Sequence, residues 1–224
     1  MGIIMGADTA TYIQPAVSPG RCTKTNCSLI QFDNDKMKFS PKYMYIIPTV
    51  YILSCCNSLK LRNTEWASKI EATTLKNLYK MNDSIYRSEQ PESKEFQDLQ
   101  KLGIKSILNL RDDRSDTSEL KFTKLNYYQI KIVTANFSDS EIVAALKIIK
   151  NSPKPLLVHC KHGSDRTGVV TAIYRIIFEN WTKQKAIDEL KNGGFGFHTR
   201  YGNIPKYLNN VDTAYIKSII TKSN

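Results

Sequence analysis

Pro155-Leu156-Leu157-Val158-His159-Cys160-Lys161-His162-Gly163-Ser164-Asp165-Arg166-Thr167-Gly168 begins with a short apolar run, and a longer one follows directly, Val169-Val170-Thr171-Ala172-Ile173-Tyr174-Arg175-Ile176-Ile177-Phe178. The first run is opened by proline and has the length of a buried strand; the second has the length and apolarity of a buried helix. The residues from His159 to Gly168 therefore form a loop that delivers the chain to a helix N-terminus. Unpaired backbone N–H groups and the positive end of the helix dipole favour an anion there, and the same field favours a nucleophilic thiolate at Cys160. Six positions on, Arg166 offers a planar fork of donors that grips two phosphate oxygens at once, a geometry lysine cannot copy. Gly163 and Gly168 permit the backbone to curl around a phosphate, and the Thr167 hydroxyl is placed to assist departure of the thiolate in a second step. The chemistry these residues imply is removal of phosphate through a cysteinyl-phosphate.

Spacing alone is weak support. With five cysteines and eight arginines among 224 residues, about 0.2 such pairs per chain arise by chance. The chain contains one: Cys56-Asn57-Ser58-Leu59-Lys60-Leu61-Arg62 has the same spacing but no glycine, no preceding histidine and no following apolar helix. Strand, glycines and helix distinguish Cys160 from it.

Other segments carry a family resemblance: Leu78-Tyr79-Lys80 with Ser84-Ile85-Tyr86-Arg87-Ser88-Glu89-Gln90-Pro91, Leu102-Gly103-Ile104-Lys105-Ser106-Ile107-Leu108-Asn109-Leu110-Arg111, Tyr174-Arg175-Ile176, Trp181, and Gly193-Gly194-Phe195-Gly196-Phe197-His198. With the loop, they make the chain from near Leu75 onward resemble the cysteine-dependent protein tyrosine phosphatases, specifically their small bacterial dual-specificity branch. The resemblance implies a phosphomonoester hydrolase without metal or cofactor, with Cys160 as nucleophile and Arg166 as phosphate clamp. It also implies a phosphate-binding loop comprising Lys161, His162, Gly163, Ser164, Asp165, Arg166 and Thr167.

Such an enzyme needs a general acid, which the family carries as an aspartate on a loop ahead of the nucleophile strand. The segment there reads Val133-Thr134-Ala135-Asn136-Phe137-Ser138-Asp139-Ser140-Glu141, with Ala135 and Asn136 where many relatives hold the acid. Asp139 is the nearest carboxylate and the candidate acid. The same residues also spell a capping box, Ser138-x-x-Glu141, opening an amphipathic helix with Ile142, Ala145, Leu146 and Ile149 on one face, which would make Asp139 a first-turn residue complementing the dipole. Asp165 or a water-mediated route stays open as a further alternative. A carboxylate facing phosphate would repel it, so Asp165 is expected to point away and hold a backbone N–H or an arginine.

His159 is a supporting residue, either stabilising the thiolate through the loop's hydrogen bonds or simply a buried, satisfied histidine. Lys161 and His162 on the rim suit a second phosphate or solvent. Arg87 and Arg111, each ending a strand-like segment, are expected to pack the loop from behind.

A formal charge of +11 favours phosphorylated, polyanionic or headgroup partners. Nucleic acid is not expected, because the lysines are scattered and no aromatic–basic run or groove-reading helix appears. With 41% hydrophobic residues the chain can bury one sizeable core, and a monomer is expected. Near the N-terminus the basic segment Met37-Lys38-Phe39-Ser40-Pro41-Lys42 precedes the apolar run Tyr43-Met44-Tyr45-Ile46-Ile47-Pro48-Thr49-Val50-Tyr51-Ile52-Leu53, which ends in Ser54-Cys55-Cys56. The run is too short to span a bilayer, which takes about 20 residues, but suits a signal-peptide core. A small residue before cysteine looks like a bacterial lipoprotein signal, with a membrane tether at Cys55 or Cys56 and export to the envelope; a plain signal peptide, a weak anchor and a cytoplasmic location are the alternatives. The expected organisation is therefore an upstream extension over 1–36, the signal over 37–56, a linker over 57–74 and a phosphatase domain over 75–224.

In that domain, strands near 76–80, 84–87, 104–110 and 126–132 alternate with helices from Pro91 and from about 139, and at least three helices follow the nucleophile strand. This order predicts an α/β fold with a central, mostly parallel sheet flanked by helices, as in the dual-specificity and tyrosine phosphatases. In the tail, Leu208, Val211, Tyr215, Ile216 and Ile219 recur at helical spacing and are expected to be core. Rival functions are a phosphoinositide or inositol-polyphosphate phosphatase of the same mechanism, a non-catalytic phospho-binding module, and a sulfurtransferase, which also uses a loop cysteine before a helix.

Overall fold

The computed structural model describes residues 62–71 and 73–222, which lie in the second of two compact units, Asn57–Asn224. The expected extension over 1–36 and signal over 37–56, with Cys55 and Cys56, fall outside the described residues.

The strands are β1 (Ser68–Lys69), β2 (Tyr79–Lys80), β3 (Ile85–Ser88), β4 (Ser106–Asn109), β5 (Asn126–Gln129) and β6 (Leu156–His159). The helices are α1 (Ser93–Lys101), α2 (Asp139–Asn151), α3 (Arg166–Phe178), α4 (Lys183–Asn192), α5 (Asn203–Asn210) and α6 (Thr213–Lys222). One sheet runs β1-β2-β3-β6-β4-β5. Its β3, β6, β4 and β5 are parallel, while β1 and β2 add antiparallel at one edge. The α/β fold and the mostly parallel sheet are as expected. The stretch expected as a linker over 57–74 instead belongs to the fold over its described part, since β1 joins the sheet and Ala67 is buried. A two-residue strand leaves too little pattern to read.

Alternation along the strands divides the interior. Ile85, Leu108, Leu156 and Val158 face a core shared with the buried sides of α2 to α6. Ile107 and Leu157 face the other way, onto Leu75, Leu78, and Phe96 and Leu99 of α1. Helix α3 is buried at every position from Thr167 to Arg175. A helix apolar on all sides needs neighbours on all sides, and β6, α2, α4, α5 and α6 provide them. The same alternation turns His159 toward Phe96 of α1 and leaves Cys160 in the larger core.

The tail departs from the expected single run of core residues. Val211 ends α5, and Asp212 starts α6 by accepting the Tyr215 N–H on its side chain. The break resets the helical phase, so Ile216 stays buried while Tyr215 is exposed.

Candidate active site

The loop between β6 and α3 is held from outside by its carbonyls. Lys161 O accepts the Gln90 N–H at 3.3 Å, His162 O accepts Asn77 Nδ2 at 2.7 Å, and Gly163 O accepts Arg87 Nη2 at 2.7 Å. In a trans peptide the C=O and the following N–H point opposite ways, so these three bonds turn the N–H groups of His162, Gly163 and Ser164 toward the inside of the loop. Successive inward N–H groups form an anion-binding concavity. Gly163 makes the turn possible: its φ is +69°, and a Cβ there would lie 2.4 Å from Ser88 O. Gly168 does something other than the expected curl around phosphate. It lies in α3, where a Cβ would meet Leu190 Cδ1 at 2.4 Å, so it lets α4 pack close.

Arg87 fastens the loop as expected of a structural arginine. Fully buried, it also donates to Thr171 Oγ1 at 3.1 Å and stacks on the Phe195 ring at 3.6 Å. Burial brings its guanidinium down to about 10, still a cation at neutral pH. Arg111 supports the loop at one remove, Nη1 donating to Gln90 Oε1 at 3.2 Å, and it also forks onto Asp113 through Nε at 2.9 Å and Nη2 at 2.5 Å. That hydrogen bonding brings the Asp113 carboxyl down to about 2.

Cys160 is a free thiol, 3% exposed, lining a cavity of about 390 Å³. From the loop, Lys161, His162, Asp165 and Arg166 join it in the lining. Asp112 and Asp113 enter from the segment after β4, Val133, Thr134 and Ala135 from the segment after β5, and Arg200 and Tyr201 from ahead of α5. Of the expected phosphate-loop residues, the side chains of Ser164 and Thr167 and the Cα of Gly163 are not part of this lining. Ser164 Oγ bonds Phe195 O at 2.6 Å. Thr167 Oγ1 is buried without a hydrogen-bond partner among the described residues. The His162 imidazole is pushed down by partial desolvation, then by the neighbouring charges of His198 and Lys161.

Asp165 behaves as its position predicts, turned from the cavity's centre to accept the His198 N–H at 3.0 Å and to meet His198 Nδ1 at 2.8 Å. His159 is buried and satisfied: Nε2 lies 2.8 Å from Asp116 Oδ2, and Nδ1 lies 3.4 Å from Cys160 O. Asp139, the candidate acid, does not line this cavity. The capping box forms as the pattern reads and fixes Asp139 in the first turn of α2, where its Oδ1 accepts Tyr207 Oη at 2.7 Å. Burial, and after it the bond to Asp139, pushes the Tyr207 phenol up.

The carboxylates beside Cys160 are instead Asp112 and Asp113. Arg166 pairs with Asp112 through Nη1, and Asp113 Oδ1 lies 4.0 Å from the same nitrogen. In the sequence these residues read only as a polar loop, and Arg200 and Tyr201 carried no local signal. Register explains the approach of Asp112: β4 pairs with β6 so that Asn109 lies opposite His159, which brings the residues just past each strand end side by side. Among the described residues, no group of three or more His, Cys, Asp or Glu side chains is arranged to hold a metal ion.

A model of the family described as "Tyrosine phosphatase family" matches residues 72–223. The dual specificity protein phosphatase TpbA of Pseudomonas aeruginosa is 29% identical over 163 residues, covering 71% of this chain and 73% of that protein. The inositol diphosphatase SIW14 of Saccharomyces cerevisiae is 31% identical over 150 residues, covering 62% of this chain and 52% of that one. A crystal structure of a cysteine-to-serine form of TpbA in complex with phosphotyrosine has a TM-score of 0.65 at 27% identity, covering 72% of this chain and 99% of that one. The core catalytic domain of SIW14 in complex with citrate has a TM-score of 0.59 at 29% identity, covering 67% and 94%.

Proposed function

This chain belongs to the tyrosine phosphatase family, and on that premise we propose that it hydrolyses phosphomonoesters in two steps, with Cys160 taking the phosphoryl group and Arg166 clamping it. The observation that carries the reading is the placement of both side chains in one cavity, on a loop whose carbonyls are fastened outward. The Cys160 thiolate attacks phosphorus, the ester bond breaks, and the inward N–H groups with the Arg166 fork hold charge on the phosphoryl oxygens. Water then attacks the cysteinyl-phosphate, and sulfur departs as thiolate.

For substrate, Val133, Ala135 and Tyr201 give the cavity an apolar side that suits the ring of a phosphotyrosyl residue. Likeness to TpbA, whose cysteine-to-serine form has been solved with phosphotyrosine, supports the same choice. A second reading rests on the basic side chains Lys161, Arg166 and Arg200 together in the lining. They suit a compact polyanion such as an inositol polyphosphate, and the likeness to SIW14 favours it. Phosphate release from matched panels of phosphopeptides and inositol phosphates separates the two. Phosphotyrosyl peptides are expected to have the higher kcat/KM; preference for the inositol panel would reverse the choice. Cys160→Ser is expected to abolish release from either.

Export with a lipid tether at Cys55 or Cys56 is our reading of the basic-then-apolar segment over 37–56. Metabolic labelling with a fatty-acid probe, lost in a Cys55→Ser, Cys56→Ser variant, is the expected outcome. Unlabelled wild type in the soluble fraction would remove the tether.

A further inference from the structure

Resting on the phosphatase reading above, we propose that Asp112 is the general acid, protonating the leaving oxygen in the first step and taking a proton from water in the second.

Elimination among the nearby carboxylates points to it. Asp139 is outside the cavity and committed to the α2 cap and Tyr207. Asp116 is fully buried between His159 and Gln90. Asp165 has one oxygen on the His198 N–H and the other on its ring. Asp113 lines the cavity, but both of its carboxylate oxygens are taken by the Arg111 fork, Oδ1 by Nε and Oδ2 by Nη2. Glu89 lies in a neighbouring hollow that shares only His162 with this cavity. Asp112 lines the cavity, its side chain is 37% exposed, and Arg166 is its hydrogen-bond partner.

That partner is also the phosphate clamp. Arg166 meets Asp112 through Nη1, and its Nε and Nη2 have no other partner among the described residues. This edge can grip two phosphate oxygens while Asp112 stays at the side of the bound ester. A carboxylate beside a phosphate dianion cannot readily remain ionised, so the pair keeps one proton, drawn from solvent or carried in by the phosphate monoanion.

The steps then balance. A lone pair of the Cys160 thiolate forms the S–P bond, the P–O bond to the leaving group breaks with its electrons on oxygen, and that oxygen takes the proton from Asp112. In the second step water attacks phosphorus, Asp112 accepts the water's proton, and the S–P electrons return to sulfur. Inorganic phosphate departs and Asp112 is again protonated.

The test compares esters with a good and a poor leaving group, 4-nitrophenyl phosphate and phenyl phosphate, in wild type, Asp112→Asn, Asp112→Glu and Cys160→Ser. A proton donor matters most when the leaving oxygen is basic, and kcat/KM reports only the steps up to its departure, so Asp112→Asn is expected to lower kcat/KM on phenyl phosphate by about 10²-fold or more, and at least tenfold more than on 4-nitrophenyl phosphate. Asp112→Glu is expected to recover part of the loss on the poor ester. Equal losses on both esters, or none, would overturn the assignment while Cys160-dependent hydrolysis by wild type still stood. Wild type inert toward both, or Cys160→Ser still active, would remove the phosphatase reading itself. Circular dichroism and Tm of Asp112→Asn, expected to match wild type, keep a folding defect from passing as lost catalysis.

Discussion

At Asp139 one residue satisfies two sequence patterns, and the local one prevails. A capping box is settled within four residues, whereas service as an acid depends on where the loop lies relative to Cys160, which no local pattern specifies. Asp112 is the converse case. Nothing in Asp112-Asp113-Arg114-Ser115-Asp116 marks it, and only the pairing of β4 with β6 brings it to the cavity. The partner of His159 was invisible for the same reason, since Asp116 is far away along the chain. Asp139→Asn is therefore expected to leave kcat on phenyl phosphate within about twofold of wild type, and to cost about 0.5–1.5 kcal/mol of stability by weakening the bond with Tyr207. Steady-state kinetics and denaturant unfolding check both numbers, and a loss of rate on the scale of a missing general acid would return Asp139 to the mechanism.

At the scale of elements, the strand–loop–helix unit was legible because its signals are local: a proline-led apolar run, glycines in the loop, and a long apolar helix. The uses of its two glycines were not, because they depend on β3 and α4. Gly163→Ala must place a Cβ against the Ser88 carbonyl at positive φ. It is expected to lose about 2 kcal/mol or more and to weaken binding of phosphate as a product inhibitor. Gly168→Ala meets the end of the Leu190 side chain instead. It is expected to cost about 1–2 kcal/mol by overpacking while leaving phosphate inhibition unchanged. Inhibition constants measured beside Tm separate the two, and a Gly168→Ala variant with impaired phosphate binding would restore the role in the curl.

The segment after β4 has its own pH signature. The Asp113 carboxyl is lowered to about 2 by the Arg111 fork, so its stabilising contribution is fully present above the ordinary carboxylate range and is lost as pH falls through the folded value. The Asp113 side chain is 53% exposed, which limits the pair to about 0–1 kcal/mol. Asp113→Asn is expected to lower Tm by no more than about 4 °C at pH 7, with the gap to wild type closing between about pH 4 and pH 2. A gap that widened on acidification would contradict the pairing.

Across the described residues, the central strands β4 and β6 each serve both cores, Leu108 of β4 facing the large one and Ile107 the smaller. Leu156 and Val158 of β6 pack into the large core and Leu157 into the smaller one beneath α1. The fold class was readable from the alternation of elements, but the second core was not, because its members are scattered from Leu75 to Leu157. Sharing β4 and β6 couples the two cores. Leu157→Ala is expected to cost about 2–5 kcal/mol and still give one unfolding transition, coincident by tryptophan fluorescence and far-ultraviolet circular dichroism. Two separated transitions would mean that the α1 side melts independently.

A nucleophilic Cys160 requires that phosphate pass through its sulfur during turnover. Rapid acid quench during turnover of a radiolabelled aryl phosphate, followed by peptide mapping, would trap that intermediate. The expected result is label on the peptide carrying Cys160, absent in Cys160→Ser, which also releases no phosphate. Steady release of phosphate by Cys160→Ser would mean that the phosphoryl group does not pass through this sulfur.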